Sequence, residues 1–183
     1  MTGFLAFAGL LALIGLWVVL TTNSFIRARN KVDEAWSGID VQLKRRHDLV
    51  PNLVETVKAY AVHESATLAA VTQARSAAMS ASTNGERSAA EGQLTGALAG
   101  IQVVAEEYPE LRASESFRAL QGELAELEDQ IQASRRIYNA NVNTYNTRIQ
   151  VFPNSVVAGR SFTTRDLFQL DSLAERAVPA VAF

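Results

Sequence analysis

The sequence predicts an all-α protein, an N-terminal transmembrane helix followed by a bundle of long helices, and three observations predict it. Residues 4–20, FLAFAGLLALIGLWVVL, form an unbroken apolar run, and no side chain between residues 2 and 26 is charged. Beyond that run, apolar residues recur at steps of three and four, the period of a helix. Strict alternation bounded by turn residues, the mark of a strand, occurs nowhere. A chain of 183 residues is long enough for one ordinary core without staples. It contains no Cys and two His, which excludes disulfides and a thiol nucleophile and leaves too few ligands for a structural zinc.

Together with Thr21 and Thr22, the apolar run reaches about 30 Å as a helix, the thickness of the hydrocarbon core of a bilayer. A cleaved signal peptide would need a basic stretch before the run and a small-x-small exit after it. Nothing before Phe4 is charged and the exit reads TTNSFIRARNK, so a retained anchor is expected. Arg27, Arg29 and Lys31 follow directly, and the positive-inside rule then places the C-terminal domain in the cytoplasm, with Trp17 near that interface. The expected protein is a single-pass membrane protein, divided into an anchor (1–26), a helical bundle (27–153) and an irregular tail (154–183) that packs on the bundle or on a partner.

The first helix of the bundle carries Val32, Trp36, Ile39, Leu43, Val50, Leu53, Val57, Leu68 and Val71 as one stripe. These residues keep register across Pro51, which favours a continuous helix kinked by a missing donor. The alternative makes Asp48 an N-cap and Pro51 part of the first turn of a new helix. The bundle accordingly has three long helices, or four if the first breaks at Pro51. Thr83 and Glu86 have the spacing of a capping box, which opens a helix over 86–107 with Leu94, Leu98, Ile101 and Val104 as its stripe. Tyr108 and Pro109 end it. The last long helix spans 115–151 and steps from Phe117 through Leu120, Leu124, Leu127, Ile131, Ser134, Tyr138, Asn141 and Tyr145 to Arg148, a near-heptad that favours coiled-coil packing.

Between residues 27 and 58 the chain has seven cations and five acids, and beyond residue 58 ten and fourteen. No clustered excess of positive charge marks a nucleic-acid groove, so no nucleic-acid partner is expected. His47 beside Asp48 resembles a base with its orienter. Neighbouring helical residues diverge by about 100 degrees, so both are read as solvated. His63-Glu64 begins like a zinc-protease helix, but Thr67 stands where the second His belongs. A di-iron bundle needs Glu-x-x-His, and Lys44 and Tyr60 occupy the required positions. Glu106, Glu107, Glu126, Glu128 and Asp129 are read as surface acids. No catalytic residue, cofactor or metal is therefore expected.

Two clusters have a better claim to a role. Lys44, Arg45 and Arg46 lie near Asp40 and Asp48, with Pro51 and Asn52 following, and an Asp40 to Lys44 pair would absorb part of their charge. Pairing within the protein or with a partner is favoured over lipid contact, since residue 44 lies about 25 Å along a straight helix from residue 27. The second cluster repeats a dipeptide seven residues apart, Tyr138-Asn139 and Tyr145-Asn146, next to Arg135 and Arg136. Tyr and Asn inside an apolar seam are expected to fix register by hydrogen bonding to a neighbouring helix.

DEAWSGIDVQLKRRHDLVPNLVETVKAYAVHE, TQAR at 72–75, YPELRASESFRALQGEL at 108–124, SRRIYNANVNTYNTRIQVFP at 134–153 and the closing VPAVAF together resemble the LemA family. The resemblance runs from about residue 29 to residue 183, with an anchor of the right type before it. It implies a bacterial membrane-anchored protein with an antiparallel bundle, usually described as four-helix, and no established catalytic activity. It also implies a link to membrane organisation, through magnetosome-associated members. A further implied link is to envelope quality control, with a membrane protease or another membrane protein as partner. The expected function is a non-enzymatic scaffold or adaptor that binds the lipid bilayer through its first helix and forms homo-oligomers. The alternative is a signalling or enzymatic module that uses His47 or His63 with an unseen partner.

Overall fold

In the computed structural model the described residues, 1–159 and 161–169, are almost wholly helical and contain no strand. Six helices follow in order: α1 (Thr2–Tyr60), α2 (Ser65–Ser80), α3 (Asn84–Glu107), α4 (Pro109–Ala113), α5 (Glu115–Gln150) and α6 (Asn154–Ala158). The chain divides into two compact units. One joins residues 1–38 to 136–167, the other holds 39–135 and resumes at Phe168, and both α1 and α5 contribute to each.

In the first unit residues 1–20 are all exposed, including every large apolar side chain of the run. Burial starts at Thr21 and is complete at Phe25, whose ring meets the edge of Phe162 at 5.1 Å between centroids. The core continues through Val32, Tyr138, Val142, Tyr145 and Ile149. α1 and α5 run antiparallel here. The Arg148 guanidinium donates to the Ser24 hydroxyl at 2.7 Å, the Asn141 amide donates to the Lys31 carbonyl at 3.1 Å, and the Trp36 and Tyr138 rings pack at 5.3 Å. The residues from 154 were expected to be irregular. They begin with the short α6 and continue as non-helical chain along α5. The described part of the tail thus lies on the protein itself. Arg160 and residues 170–183, with the VPAVAF motif and the rest of the expected tail, lie outside the described residues.

In the second unit α1 is one helix through Pro51, as the unbroken register favoured, and the Asp48 cap does not form. The break comes ten residues later, where Ala61 to Glu64 turn tightly and the Glu64 amide bonds the Ala61 carbonyl at 3.1 Å. This corrects the expectation of one stripe running to Val71. Val57 and Leu68 are eleven residues apart, about three helical turns, so the stripe stays in phase across a break it cannot reveal. α2 and α3 form an antiparallel hairpin whose buried faces meet α1 at Val50, Leu53 and Val57. The capping box is present. The Glu86 amide bonds the Thr83 hydroxyl at 3.2 Å, and the Glu86 carboxylate accepts from the backbone amides of Ser82 and Thr83 at 3.0 and 3.1 Å and from the Ser82 hydroxyl at 2.9 Å. Those donors, the Ser82 amide foremost, lower the Glu86 carboxyl from 4.5 to about 2. α4, which the sequence reading did not separate, carries the buried Leu111 between α3 and α5.

Candidate functional site

The second unit buries a carboxylate. Glu91 lies on α3 one turn before Thr95, among Ala90 and Leu94, and is 0% exposed. An ionised group there costs several kcal/mol unless it is paired and hydrogen-bonded. Arg46 and His47, adjacent on α1, straddle it. The Arg46 Nη1 lies 3.5 Å from Oε2, and the His47 Nε2 lies 2.6 Å from Oε1, where against an ionised carboxylate it must donate. The other terminal nitrogen of Arg46 reaches the Thr95 hydroxyl at 2.8 Å and the Glu128 carboxylate of α5 at 3.3 Å. Three helices are thereby tied through one guanidinium.

Pro51 completes the arrangement. A proline in a helix interior has no N–H for the carbonyl four residues earlier, here that of His47. The His47 carbonyl instead accepts from Arg75 Nε of α2 at 2.7 Å. Pro51 and the Arg of the TQAR segment are thus two halves of one contact.

Several expectations are corrected by this geometry. His47 is not solvated: its side chain is 12% exposed and is engaged by Glu91. Asp48 plays no part in orienting it and lies exposed, lining a groove with Arg45, Glu123, Glu126, Leu127 and Gln130. Asp40 pairs with Arg87 of α3, not with Lys44. Glu128 is a partner of Arg46, not a free surface acid. Lys44, Pro51 and Asn52 are exposed on α1. His63 lies exposed in the turn between α1 and α2, on no helix. Glu91, Thr95 and Arg75 were not singled out from sequence. Glu91 could have been, because it stands three residues before Leu94 and seven before Leu98, an acid in phase with an apolar stripe.

Arg46 and Glu128 also face a cavity of about 430 Å³, lined on its apolar side by Leu53, Leu98, Ile101 and Leu124 and on its polar side by Gln102, Gln121, Gln132 and Arg135. His47 does not line it.

In the first unit the Tyr-Asn stripe binds backbone. The Tyr138 hydroxyl donates to the Asp166 carbonyl at 2.9 Å, and the Tyr145 hydroxyl donates to the Thr163 carbonyl at 3.1 Å. Asn146 does both, giving its amide to the Arg165 carbonyl at 2.8 Å and accepting the Arg165 N–H at 2.9 Å. The partner is the strap of residues 163–166, where a neighbouring helix had been expected. Asn139 is half-buried beside them and Arg136 is exposed. Of the cations after the apolar run, Arg29 lies over the Phe162 ring, 6.0 Å from its centroid. Arg27 and Lys31 border a second cavity with Arg148.

A helix that is apolar and exposed as far as Leu20 is long and apolar enough to cross a membrane, and with the helices packed beyond it this is the pattern of a membrane-associated helical protein. The LemA family model matches residues 35–183, and the chain belongs to the LemA family. It is similar to Protein LemA of Metamycoplasma hominis, 28% identical over 138 residues that cover 74% of this chain and 63% of that protein. It is also similar to Magnetosome protein MamQ 2 of Paramagnetospirillum magneticum, 23% identical with 77% and 61% covered. A third relative is Magnetosome protein MamQ of Magnetospirillum gryphiswaldense, 21% identical with 74% and 60% covered. The chain spans about three fifths of the length of these relatives.

Proposed function

We infer that the protein is a non-enzymatic scaffold or adaptor of the bacterial cytoplasmic membrane, its bundle in the cytoplasm, self-associating and offering helical surfaces to other membrane proteins. The observation that carries this reading is the closure of the charge cluster. Both Glu91 oxygens are taken by Arg46 and His47, and the second Arg46 nitrogen is taken by Thr95 and Glu128. Such a site holds helices together and presents no free base or nucleophile to a substrate. The three cations that follow the uncharged run support the orientation. The relatives named as magnetosome proteins support a place in membrane organisation. A membrane protease in envelope quality control is a partner of the kind this reading accommodates.

The test combines crosslinking and co-purification from native membranes with a His47→Gln variant. The amide of Gln keeps a donor where Nε2 stands but cannot act as a base. A scaffold predicts normal complex size and full rescue of a deletion strain. Lost rescue at normal fold and complex size would favour the signalling or enzymatic alternative. Protease added to intact spheroplasts should leave the bundle untouched, and its digestion there would overturn the orientation.

A further inference from the structure

The cavity bordered by Arg27 and Lys31 lies between α1 and α5, in the first unit. It measures about 350 Å³ and is lined by Arg27, Ala28, Lys31, Asn141, Thr144 and Arg148, three cations and two neutral polar side chains with no acid. The sequence around it is depleted of acids as well. None occurs before Asp33 in α1, nor anywhere between Asp129 and Asp166. The first unit as a whole counts seven cations against three acids.

Its position relative to the apolar run is equally specific. Arg148 is held on Ser24, four residues past Leu20 and about 6 Å further along the axis. The headgroup layer of a bilayer is roughly 5 to 8 Å deep on each side. Arg27 and Lys31 stand farther along α1, but side chains on a helix lean toward its N-terminus, here back toward the run, and long cationic side chains extend in that direction readily. The Asn141 amide, fixed on the Lys31 carbonyl, stiffens the opposite wall.

We propose that this cavity binds the phosphate of an anionic phospholipid, with Arg27, Lys31 and Arg148 as the cationic contacts. Guanidinium groups match phosphate oxygens in pairs, and Lys adds a mobile point charge. The occupant is a lipid, not a free phosphate, because acyl chains leaving the cavity toward residues 4–20 would lie along side chains that are already exposed and apolar. The proposal rests on the membrane-spanning reading of α1, and goes beyond it by assigning a headgroup site to named residues of two helices.

The experiment uses the full chain, purified in a mild detergent doped with equal amounts of phosphatidylcholine and phosphatidylglycerol, and counts retained lipids by native mass spectrometry. One phosphatidylglycerol should be retained preferentially. Arg27→Gln/Lys31→Gln leaves the Arg148 to Ser24 bond intact and should reduce that preference about thirty-fold, while Arg118→Gln, in the other unit, should not change it. Equal retention of the two lipids, or undiminished preference in the double variant, overturns the proposal. So does competition by millimolar inorganic phosphate at unchanged lipid occupancy of the rest of the micelle, which would assign the cavity to a free anion. Flotation with neutral phosphatidylcholine vesicles separates the two levels. A chain that floats without lipid preference loses only the headgroup site, and one that fails to float loses the membrane-spanning reading itself.

Discussion

Removing the buried carboxylate by Glu91→Ala is the most informative single perturbation of the bundle. Glu91 is 0% exposed, Arg46 4% and His47 12%, so the Arg46 charge and the His47 ring left behind are poorly reached by water. Breaking a buried ion pair by deleting one partner costs about 3 to 5 kcal/mol. Arg46 keeps Thr95 and a Glu128 that is itself 30% exposed, which moves its share toward the lower end. His47 loses its carboxylate outright, adding about 1 kcal/mol. A total of about 4 kcal/mol is a large part of the 5 to 15 kcal/mol that holds a typical domain together. It corresponds to a fall in Tm of roughly 10 °C for a chain of this size. Far-UV circular dichroism of the full chain in detergent, melted at fixed pH and salt, measures it. Glu91→Gln retains the volume but offers an acceptor to only one of the two donors, and should fall between. Arg46→Leu/Glu91→Leu should recover part of the loss, since apolar side chains of similar volume replace buried pairs at little cost. A Glu91→Ala melt within about 2 °C of the parent, with no coupling to Arg46→Leu, would refute the claim that this cluster holds α1 to α3.

Three further outcomes follow from the same contacts. Tyr138→Phe and Tyr145→Phe each remove a hydroxyl that holds the strap, so each should cost about 1 kcal/mol and speed proteolytic cleavage within residues 161–169; unchanged melting and cleavage would detach the strap from the stripe. Pro51→Ala restores a backbone donor in an exposed helix interior and should stabilise by less than the roughly 3 kcal/mol expected for a helical proline, because Arg75 already satisfies the freed carbonyl; a destabilised variant would show that Pro51 packs in some other essential way. The Glu86 carboxyl is held below its ordinary 4.5, so the capping box contributes stability above that pH and loses it as pH falls toward about 2; a carbon-13 titration of Glu86 with its midpoint near 4.5 would contradict this.

Much of the fold was legible because it is written in local periods. The exposed run, the capping box at Thr83 and Glu86, and the limits of α5 follow from residues within one or two turns of one another. The turn at Ala61 to Glu64 was not legible, since it carries neither proline nor glycine and keeps the stripe in phase. The cluster was half legible. Arg46 and Pro51 stood out, but Glu91 is 44 residues from His47, and nothing local announces that an arginine and a histidine of one helix will meet a single carboxylate of another. The Tyr-Asn repeat is visible in the sequence as polar positions in an apolar seam, but the backbone of residues 163–166 that bonds Tyr138, Tyr145 and Asn146 is not, because a strap without periodicity leaves no trace in residue spacing.

The carbonyl freed by Pro51 also bears on how the helices find their alignment. Inside a regular helix every carbonyl is already bonded to its own chain, so to an approaching arginine each turn looks like the next. Apolar stripes add little discrimination, because sliding one helix along another by a turn exchanges one Leu or Val for a similar one. Pro51 leaves the His47 carbonyl as the one α1 acceptor without its usual helical donor over that stretch, and Arg75 takes it. The proline thus works as an address, marking a single position on a long uniform rod. A docking of α2 shifted by one turn would strand the arginine against occupied carbonyls, so the helix defect makes the native alignment distinguishable from its neighbours.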